Sequence, residues 1–483
     1  MTNMVVKIIS KECIKPSSPT PQHLKIHKLS LLDQLIPSIY LPGILYYPIH
    51  PNTTPSVNFG DTCQRSEQLK LSLSETLTSF YPLAGRFRDN LSIDCNDEGV
   101  SYTEAEVEST CLFQFLNHPD VSLLSQFLPS GAGFSESEGP GAPLAMIQVT
   151  NFACGGYVVG VLVSHMVFDG TALRTFFKAW AARSRNTPAS DICMPTFDAP
   201  SLFPQSDAFP QEATMMTFWR RFLRMGKCVT RRFVFDAAAI ASLKDKAAAN
   251  TTSSSSAQNP TRVEVVTALI WKCIMVALAF HNHEITDGGQ KQQRPTMITH
   301  AVNLRQRAVP PFSENCMGNF MFQAAATVCS RKAEELELGS LVILIREAIK
   351  KLDGNIVESL QGDEGVTKLC ELSKEMGYTF SSAASNGNLD YIGFTSWCNF
   401  GLYDVDFGWG KPIWMSSVGT HNAPESVFTN AVVLTDTRSR DGVEAWIYLG
   451  EQEMATLEQD ENFLAFAATD HSPLEPGNHA SDP

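Results

Sequence analysis

Two short stretches carry residue types at a spacing that can do chemistry. His165-Met166-Val167-Phe168-Asp169-Gly170 sets an imidazole four residues ahead of a carboxylate and a glycine. Asp406-Phe407-Gly408-Trp409-Gly410 sets a carboxylate ahead of two glycines among aromatic rings. Imidazole ionises closest to neutrality of the common side chains, so His165 suits removal of a proton from a hydroxyl or an amine. Asp169 can orient that imidazole, or it can pair with a cation and fix the loop; spacing leaves both open. Asp406, in a Gly-rich turn, is expected to hold the turn through hydrogen bonds. The glycines do not match a phosphate-cradling loop, and no further ligands stand near His165 at metal-binding spacing.

An element is needed to aim His165. Residues 157–163 are almost all apolar or β-branched, as befits a strand buried on both faces, and His165 then stands at that strand's exposed end. Past Gly170, Thr171 is placed to cap a helix in which Leu173, Phe176, Phe177 and Trp180 share one face. Upstream, Leu69, Leu73, Leu77, Phe80 and Tyr81 form the stripe of an amphipathic helix ended by Pro82. Strands are expected at 5–9 and 39–47, and at 145–151, which should pair with the histidine strand. Residues 91–95 and 100–107 read as a hairpin around Asn96-Asp97-Glu98-Gly99. Later strands are expected at 231–236 and 297–304, with alternating strand and loop over 391–406 and two final strands in 431–449. Helices are expected at 240–249, 263–278 (a buried one), 336–352 and 451–467.

The chain's 483 residues exceed what one core usually serves. Prolines crowd residues 186–211, the best crossover between an N-terminal domain, 1–210, and a C-terminal domain, 211–470; residues 471–483 read as a disordered tail. A net charge of −14 without a basic face excludes a nucleic-acid binder. The 12 cysteines stand singly, without metal or redox spacing, as in a reduced cytosolic protein. Neither a signal sequence nor an apolar run of membrane-spanning length stands out, so the expected location is the cytoplasm and no membrane partner is expected.

Taken together, the His165 and Asp406 stretches resemble the paired motifs of the plant BAHD acyltransferases, which move acyl groups from coenzyme A thioesters. Tyr81-Pro82-Leu83-Ala84-Gly85-Arg86, Asn303-Leu304-Arg305 and Thr395-Ser396-Trp397 resemble that family's patterns in the same order, so the likeness runs from about Val5 to Phe466. The segment from Ile14 through Leu29-Ser30-Leu31-Leu32-Asp33-Gln34 is similar to one branch. That branch includes vinorine synthase and salutaridinol acetyltransferase, which acetylate alkaloid alcohols, and some acylsugar acyltransferases. Cys316-Met317-Gly318-Asn319-Phe320 stands where the anthocyanin-acylating branch carries Tyr-Phe-Gly-Asn-Cys.

The resemblance implies an α/β fold of two similar chloramphenicol-acetyltransferase-like domains with mixed sheets and a channel between them. It implies direct acetyl transfer from acetyl-CoA, or another acyl-CoA, to a hydroxyl of an alkaloid or terpenoid alcohol. His165 would be the general base, Trp397 an oxyanion donor and Thr395 an acceptor contact. Asp169 would turn away from the histidine to pair with Arg305, and Asp406, Gly408 and Gly410 would be structural. Lys244, Lys246, Ser254, Ser255 and Thr261 fall where the family binds coenzyme A. No permanently bound cofactor and a monomeric state are expected. The rival readings are sugar esters or other alcohols and amines as acceptors, a carrier-dependent condensation domain (which usually has a second histidine where this chain has Ser164), and a non-catalytic binding protein on the same fold.

Overall fold

The structure, a computed structural model, describes residues 4–49, 59–129, 141–207, 222–249, 259–281, 284–285, 291–292, 294–328, 335–383, 389–418, 426–469 and 471–474. Among them, two six-stranded mixed sheets dominate. The first runs Lys7–Ile14, Val100–Val107, Ala145–Phe152, Tyr157–Ser164, Tyr40–Tyr47 and Trp414–Ser416 from edge to edge. The second runs Cys228–Phe235, Val443–Gly450, Ala431–Asp436, Asp390–Ser396, Thr296–Asn303 and Met321–Val328. Helices cover these sheets, giving the expected α/β architecture.

The histidine strand, Tyr157–Ser164, is buried along its whole length between Ala145–Phe152 and Tyr40–Tyr47, both antiparallel to it. A strand with neighbours on both edges and cover on both faces has no polar positions to spare, which explains its unbroken apolar run. The following helix, Gly170–Ser184, buries Leu173, Phe176, Phe177 and Trp180. The Trp180 indole donates to the Leu69 carbonyl at 3.1 Å, fastening this helix to the helix Phe59–Ser79. Each such fully buried apolar side chain is worth about 1.5–3 kcal/mol.

Several expectations are corrected. Residues 91–95 and 100–107 are not a hairpin. Ser92–Asp94 pairs with Ile26–Lys28 and Arg86–Asp89 in a small separate sheet, whereas Val100–Val107 pairs with Lys7–Ile14 and Ala145–Phe152. The chain changes sheets at Asp97 (φ 59°) and Gly99 (φ 94°), where the Asp97 carboxylate is held by Thr20 and Lys25. The helix after His165 is capped by Asp169, whose side chain accepts from the Ala172 N–H, and not by Thr171. The last helix is two short ones, Glu451–Leu457 and Glu461–Leu464, because the Asp460 carboxylate caps a second start.

Arg262–His281 has the length and apolarity of a membrane span, with mean hydropathy 2.1. In this fold it is the central core helix, and its Val265, Val266, Ile270, Trp271 and Ile274 are buried in the second hydrophobic core.

A division into blocks at residue 211 is also too simple. After the strand Asp390–Ser396 the chain crosses to the first core, where Leu402, Tyr403, Val405, Phe407 and Met415 pack with residues of the N-terminal half. Trp414–Ser416 then adds to the edge of the first sheet against Tyr40–Tyr47. Trp414 donates to Glu444 at 3.1 Å, and Arg232 grips the same carboxylate at 2.7 and 2.9 Å, so the two sheets are tied through one buried ion pair. The start of the expected tail joins this seam. Arg232 donates to the His471 carbonyl at 2.6 Å and the buried Ser472 hydroxyl to the Leu116 carbonyl at 3.2 Å. Residues 475–483 lie outside the described residues.

Candidate active site

His165 leaves the end of its strand where the two halves of the chain meet. Its N–H donates to the Ile39 carbonyl at 2.8 Å, and its carbonyl accepts from the Asn319 side-chain amide at 2.7 Å, so its backbone is clamped on both sides. Ring Nδ1 is buried and meets no hydrogen-bond partner among the described residues. Burial pushes the imidazole below its ordinary pKa, and its own backbone carbonyl, the Asp169 charge, the Phe168 carbonyl and the Asn319 side chain, in that order, offset part of that. The ring is therefore neutral near pH 7, the form in which an imidazole can accept a proton.

Asp169 is 5% exposed and its carboxylate is fully engaged. Oδ1 accepts from Ala172 N at 2.9 Å and Arg305 Nη2 at 3.2 Å, while Oδ2 accepts from Arg305 Nη1 at 2.5 Å and Phe320 N at 3.1 Å. With these four donors, none of them the imidazole, the carboxylate is a brace and not the second member of a dyad. Arg305 is fully buried, donates also to the carbonyls of Cys316 (2.8 Å) and Gly318 (3.1 Å), and lies 4.4 Å over the Phe320 ring. One ion pair thus ties the helix beginning at Gly170 to the second sheet. Gly170 itself is forced by contact, since a Cβ there would collide with the Phe400 ring.

Thr395 and Trp397 sit at the end of the strand Asp390–Ser396. Trp397 is half-buried, stacks on Phe400 with centroids 6.4 Å apart, and packs against the first core. Its indole N–H makes no hydrogen bond among the described residues.

The structure does not bring Asp406 to the histidine. Asp406 Oδ1 accepts from Gly408 N at 2.8 Å and Gly410 N at 3.0 Å, closing a turn in which both glycines have positive φ (113° and 103°). That turn packs at the far end of the helix Gly170–Ser184, with the Phe407 carbonyl accepting from Ser184 at 2.6 Å. The helix separates it from Asp169 by about 22 Å.

The expected coenzyme contacts are dispersed. Lys244 is half-buried, and Lys246 has its ammonium 4.5 Å over the Phe466 ring. Thr261 forms a capping box with Glu264: Thr261 N donates to Glu264 Oε2 at 2.8 Å, and Glu264 N to the Thr261 hydroxyl at 3.2 Å. None of these contacts touches the residues around His165. Ser254 and Ser255 lie outside the described residues.

Sequence reasoning missed Asp33 and Asn319 as parts of the site. Asp33, 2% exposed, accepts from Ser30 N (2.8 Å), Ser30 Oγ (2.6 Å), Asn319 N (2.8 Å) and Asn319 Nδ2 (2.8 Å). Burial lifts its carboxyl to about 6, against the pull of those donors. The available signal was a Ser-x-x-Asp spacing inside an apolar run, where polar side chains need partners.

Comparison with known proteins agrees with this geometry. The model of the Transferase family matches residues 4–464. Epi-neemfruitin B 7-O-acetyltransferase of Melia azedarach is 45% identical over 475 residues, covering 98% of this chain and 100% of the relative. Limonoid 7-O-acetyltransferase of Citrus sinensis is 45% identical over 479 residues, with the same coverage. The crystal structure of vinorine synthase superposes with a TM-score of 0.73 at 34% identity, covering 96% of this chain and 99% of that one. The chain belongs to the Transferase family, among the plant BAHD acyltransferases, and is an acyl-CoA-dependent O-acyltransferase.

Proposed function

We propose that the protein transfers an acetyl group from acetyl-CoA to a hydroxyl of a limonoid-type triterpenoid, with His165 as general base. The observation that carries the base assignment is the state of His165: a neutral imidazole at the seam of the two halves, with Nδ1 buried and without a hydrogen-bond partner among the described residues. The acceptor class rests on the two relatives at 45% identity, both named for 7-O-acetylation.

Nε2 takes the acceptor's hydroxyl proton as the oxygen attacks the thioester carbonyl carbon. The carbonyl π-electrons move to oxygen, and the indole N–H of Trp397, which can only donate, stabilises that oxyanion. Collapse of the tetrahedral intermediate breaks the carbon–sulfur bond, and the imidazolium returns its proton to the departing thiolate. No acyl-enzyme forms, because holding both substrates together supplies much of the rate. Thr395 hydrogen-bonds the acceptor, while Lys244, Lys246, Ser254, Ser255 and Thr261 serve the coenzyme. The protein acts as a cytoplasmic monomer without a resident cofactor.

The test incubates purified protein with acetyl-CoA and a limonoid bearing a free 7-hydroxyl, and follows the acetylated product by mass spectrometry. His165→Ala is expected to lose roughly 10²–10⁴-fold in rate at an unchanged melting temperature. A folded variant with undiminished turnover would remove His165 from the chemistry, and acetylation of alkaloid alcohols alone would reassign the acceptor.

A further inference from the structure

Just past Trp397 the chain leaves the second sheet for the first core, and it bends there on a residue that carries a side chain. Asn399 stands in the left-handed region (φ 67°), which asparagine tolerates better than most residues but glycine alone adopts freely. Two contacts hold it in place. Its N–H donates to Asp436 Oδ2 at 2.7 Å, and its side-chain oxygen accepts from Arg262 Nη2 at 2.8 Å. Arg262 Nη2 also donates to Asp436 Oδ1 at 2.5 Å, closing a triangle of arginine, aspartate and asparagine. Nη1 of the same guanidinium donates to the carbonyls of Arg440 and of Gly442 (3.1 Å), in the turn between the strands Ala431–Asp436 and Val443–Gly450. Arg262 is the first residue of the core helix Arg262–His281. One guanidinium therefore fastens the crossing loop and the final hairpin to the start of the central helix.

The bend governs residues on both sides of it. Before it, the Trp397 N–H donates to the Leu434 carbonyl at 2.7 Å, two residues ahead of Asp436 on the same strand. After it, the Phe400 ring lies nearly parallel to the Trp397 indole (17°, centroids 6.4 Å apart) and fills the space that a side chain at Gly170 would need. Gly170 follows Asp169, so the bend sets the indole and also closes the corner where the His165 loop enters its helix. Thr261, beside Arg262, falls where family resemblance places the coenzyme. Arg262 itself is committed elsewhere: its four terminal N–H bonds all end on acceptors within the protein, and its charge balances Asp436, which is 4% exposed.

We infer that Arg262 is a positioning residue, which through Asp436 and Asn399 holds the bend that aims the Trp397 indole at the thioester oxygen. This rests on the reading of Trp397 as the oxyanion donor. An arginine bound in this way acts on the transition state without touching either substrate. Loss of an oxyanion donor costs about 10²- to 10³-fold in kcat, and a displacement of about 1 Å at a reacting group costs about 10²-fold.

The experiment has two arms. In the first, the 7 tryptophans are replaced by 5-fluorotryptophan and observed by ¹⁹F NMR, with Trp397→Phe and Trp180→Phe assigning two of the signals. Arg262→Met and Asn399→Ala are expected to move or broaden the Trp397 signal and to leave that of Trp180, buried in the first core, in place. A Trp397 signal unmoved in both variants overturns the inference. This arm needs no turnover. A fully active Trp397→Phe would sink the oxyanion reading, while the fluorine signal still decides whether Arg262 sets the loop.

In the second arm, kcat and KM are measured at a temperature where every variant is folded. Arg262→Met should lower kcat roughly 10- to 100-fold without raising KM for acetyl-CoA. In a Trp397→Phe background the same substitution should cost little more, because the group it misplaces is already gone. Asn399→Ala should lower kcat as well. Asn399→Gly, which adopts the bend freely and keeps the N–H to Asp436, should recover part of that loss. An unchanged kcat with a raised KM for acetyl-CoA would make Arg262 a coenzyme contact and overturn the inference. So would a full, independent loss in the Trp397→Phe background. If Arg262→Met does not fold, the comparison of Asn399→Ala with Asn399→Gly, at an exposed position, decides.

Discussion

Replacing Arg305 with methionine tests the brace beneath the histidine. Methionine keeps most of the stem volume and removes the guanidinium. Asp169 would then keep only the N–H groups of Ala172 and Phe320, with its charge uncompensated, and the carbonyls of Cys316 and Gly318 would lose their donor. Removing one partner of a buried ion pair costs about 3–5 kcal/mol. For folding units of this size that corresponds to a fall of about 6–20 °C in melting temperature.

Asp169→Leu combined with Arg305→Met removes both charges. It should recover much of the loss, stopping about 1 kcal/mol short of wild type because the helix also loses its cap. Thermal melts of the wild type, the two single variants and the pair form a double-mutant cycle. Activity should be assayed well below each melting point, where the folded fraction is complete. The reasoning is refuted if Arg305→Met melts like wild type, or if folded Arg305→Met is inactive while folded Asp169→Asn is fully active. The first result would mean that the ion pair does not brace the fold, and the second that the arginine acts on the chemistry other than through Asp169.

Asp406→Ala should lose roughly 1–3 kcal/mol of stability through its two turn hydrogen bonds while keeping kcat at temperatures where it is folded; a catalytic defect without a stability defect would contradict its separation from the histidine. Thr261→Ala should cost about 1 kcal/mol through the capping box, and a tenfold rise in KM for acetyl-CoA in a thermally unchanged variant would show that the hydroxyl serves the coenzyme instead. His27 is boxed by Tyr81 and Phe197 (ring centroids 6.5 and 5.4 Å), and burial lowers its pKa from 6.5 to about 4. The unfolded chain therefore binds this proton first, so stability is complete above about pH 6.5 and falls by up to ~3 kcal/mol as pH drops to 4. Asp33, raised to about 6, acts in the opposite sense, so melting curves of His27→Gln against wild type between pH 7.5 and 4.5 isolate the histidine; equal pH slopes would refute the assignment.

The parts of this fold written in the sequence are those that a local pattern can carry. The histidine strand is legible because burial on both faces leaves an uninterrupted apolar run, and the helix Gly170–Ser184 because Leu173, Phe176, Phe177 and Trp180 keep helical spacing. The strand Met321–Val328 is not, since its buried positions include Ala324 and Ala326, too small to mark a pattern. The false hairpin arises because alternation identifies a strand without naming its sheet. Pairing of Asp169 with Arg305 came from family resemblance; nothing in the spacing decided it. Asp33 and Asn319 stand 286 positions apart, and only the tertiary fold reveals that one holds the other.

The strand Trp414–Ser416 has a consequence for how the protein is made. On the ribosome, the N-terminal half emerges hundreds of residues before the segment that finishes its sheet, so the edge of Tyr40–Tyr47 waits with unmatched backbone groups and apolar neighbours. A nascent chain in that state is open to wrong pairing with other chains. Expressed alone, residues 1–210 should aggregate, and a split version of the enzyme should assemble only if the C-terminal fragment carries residues 397–418. Synthesis of this protein is therefore completed as a fold only near its end.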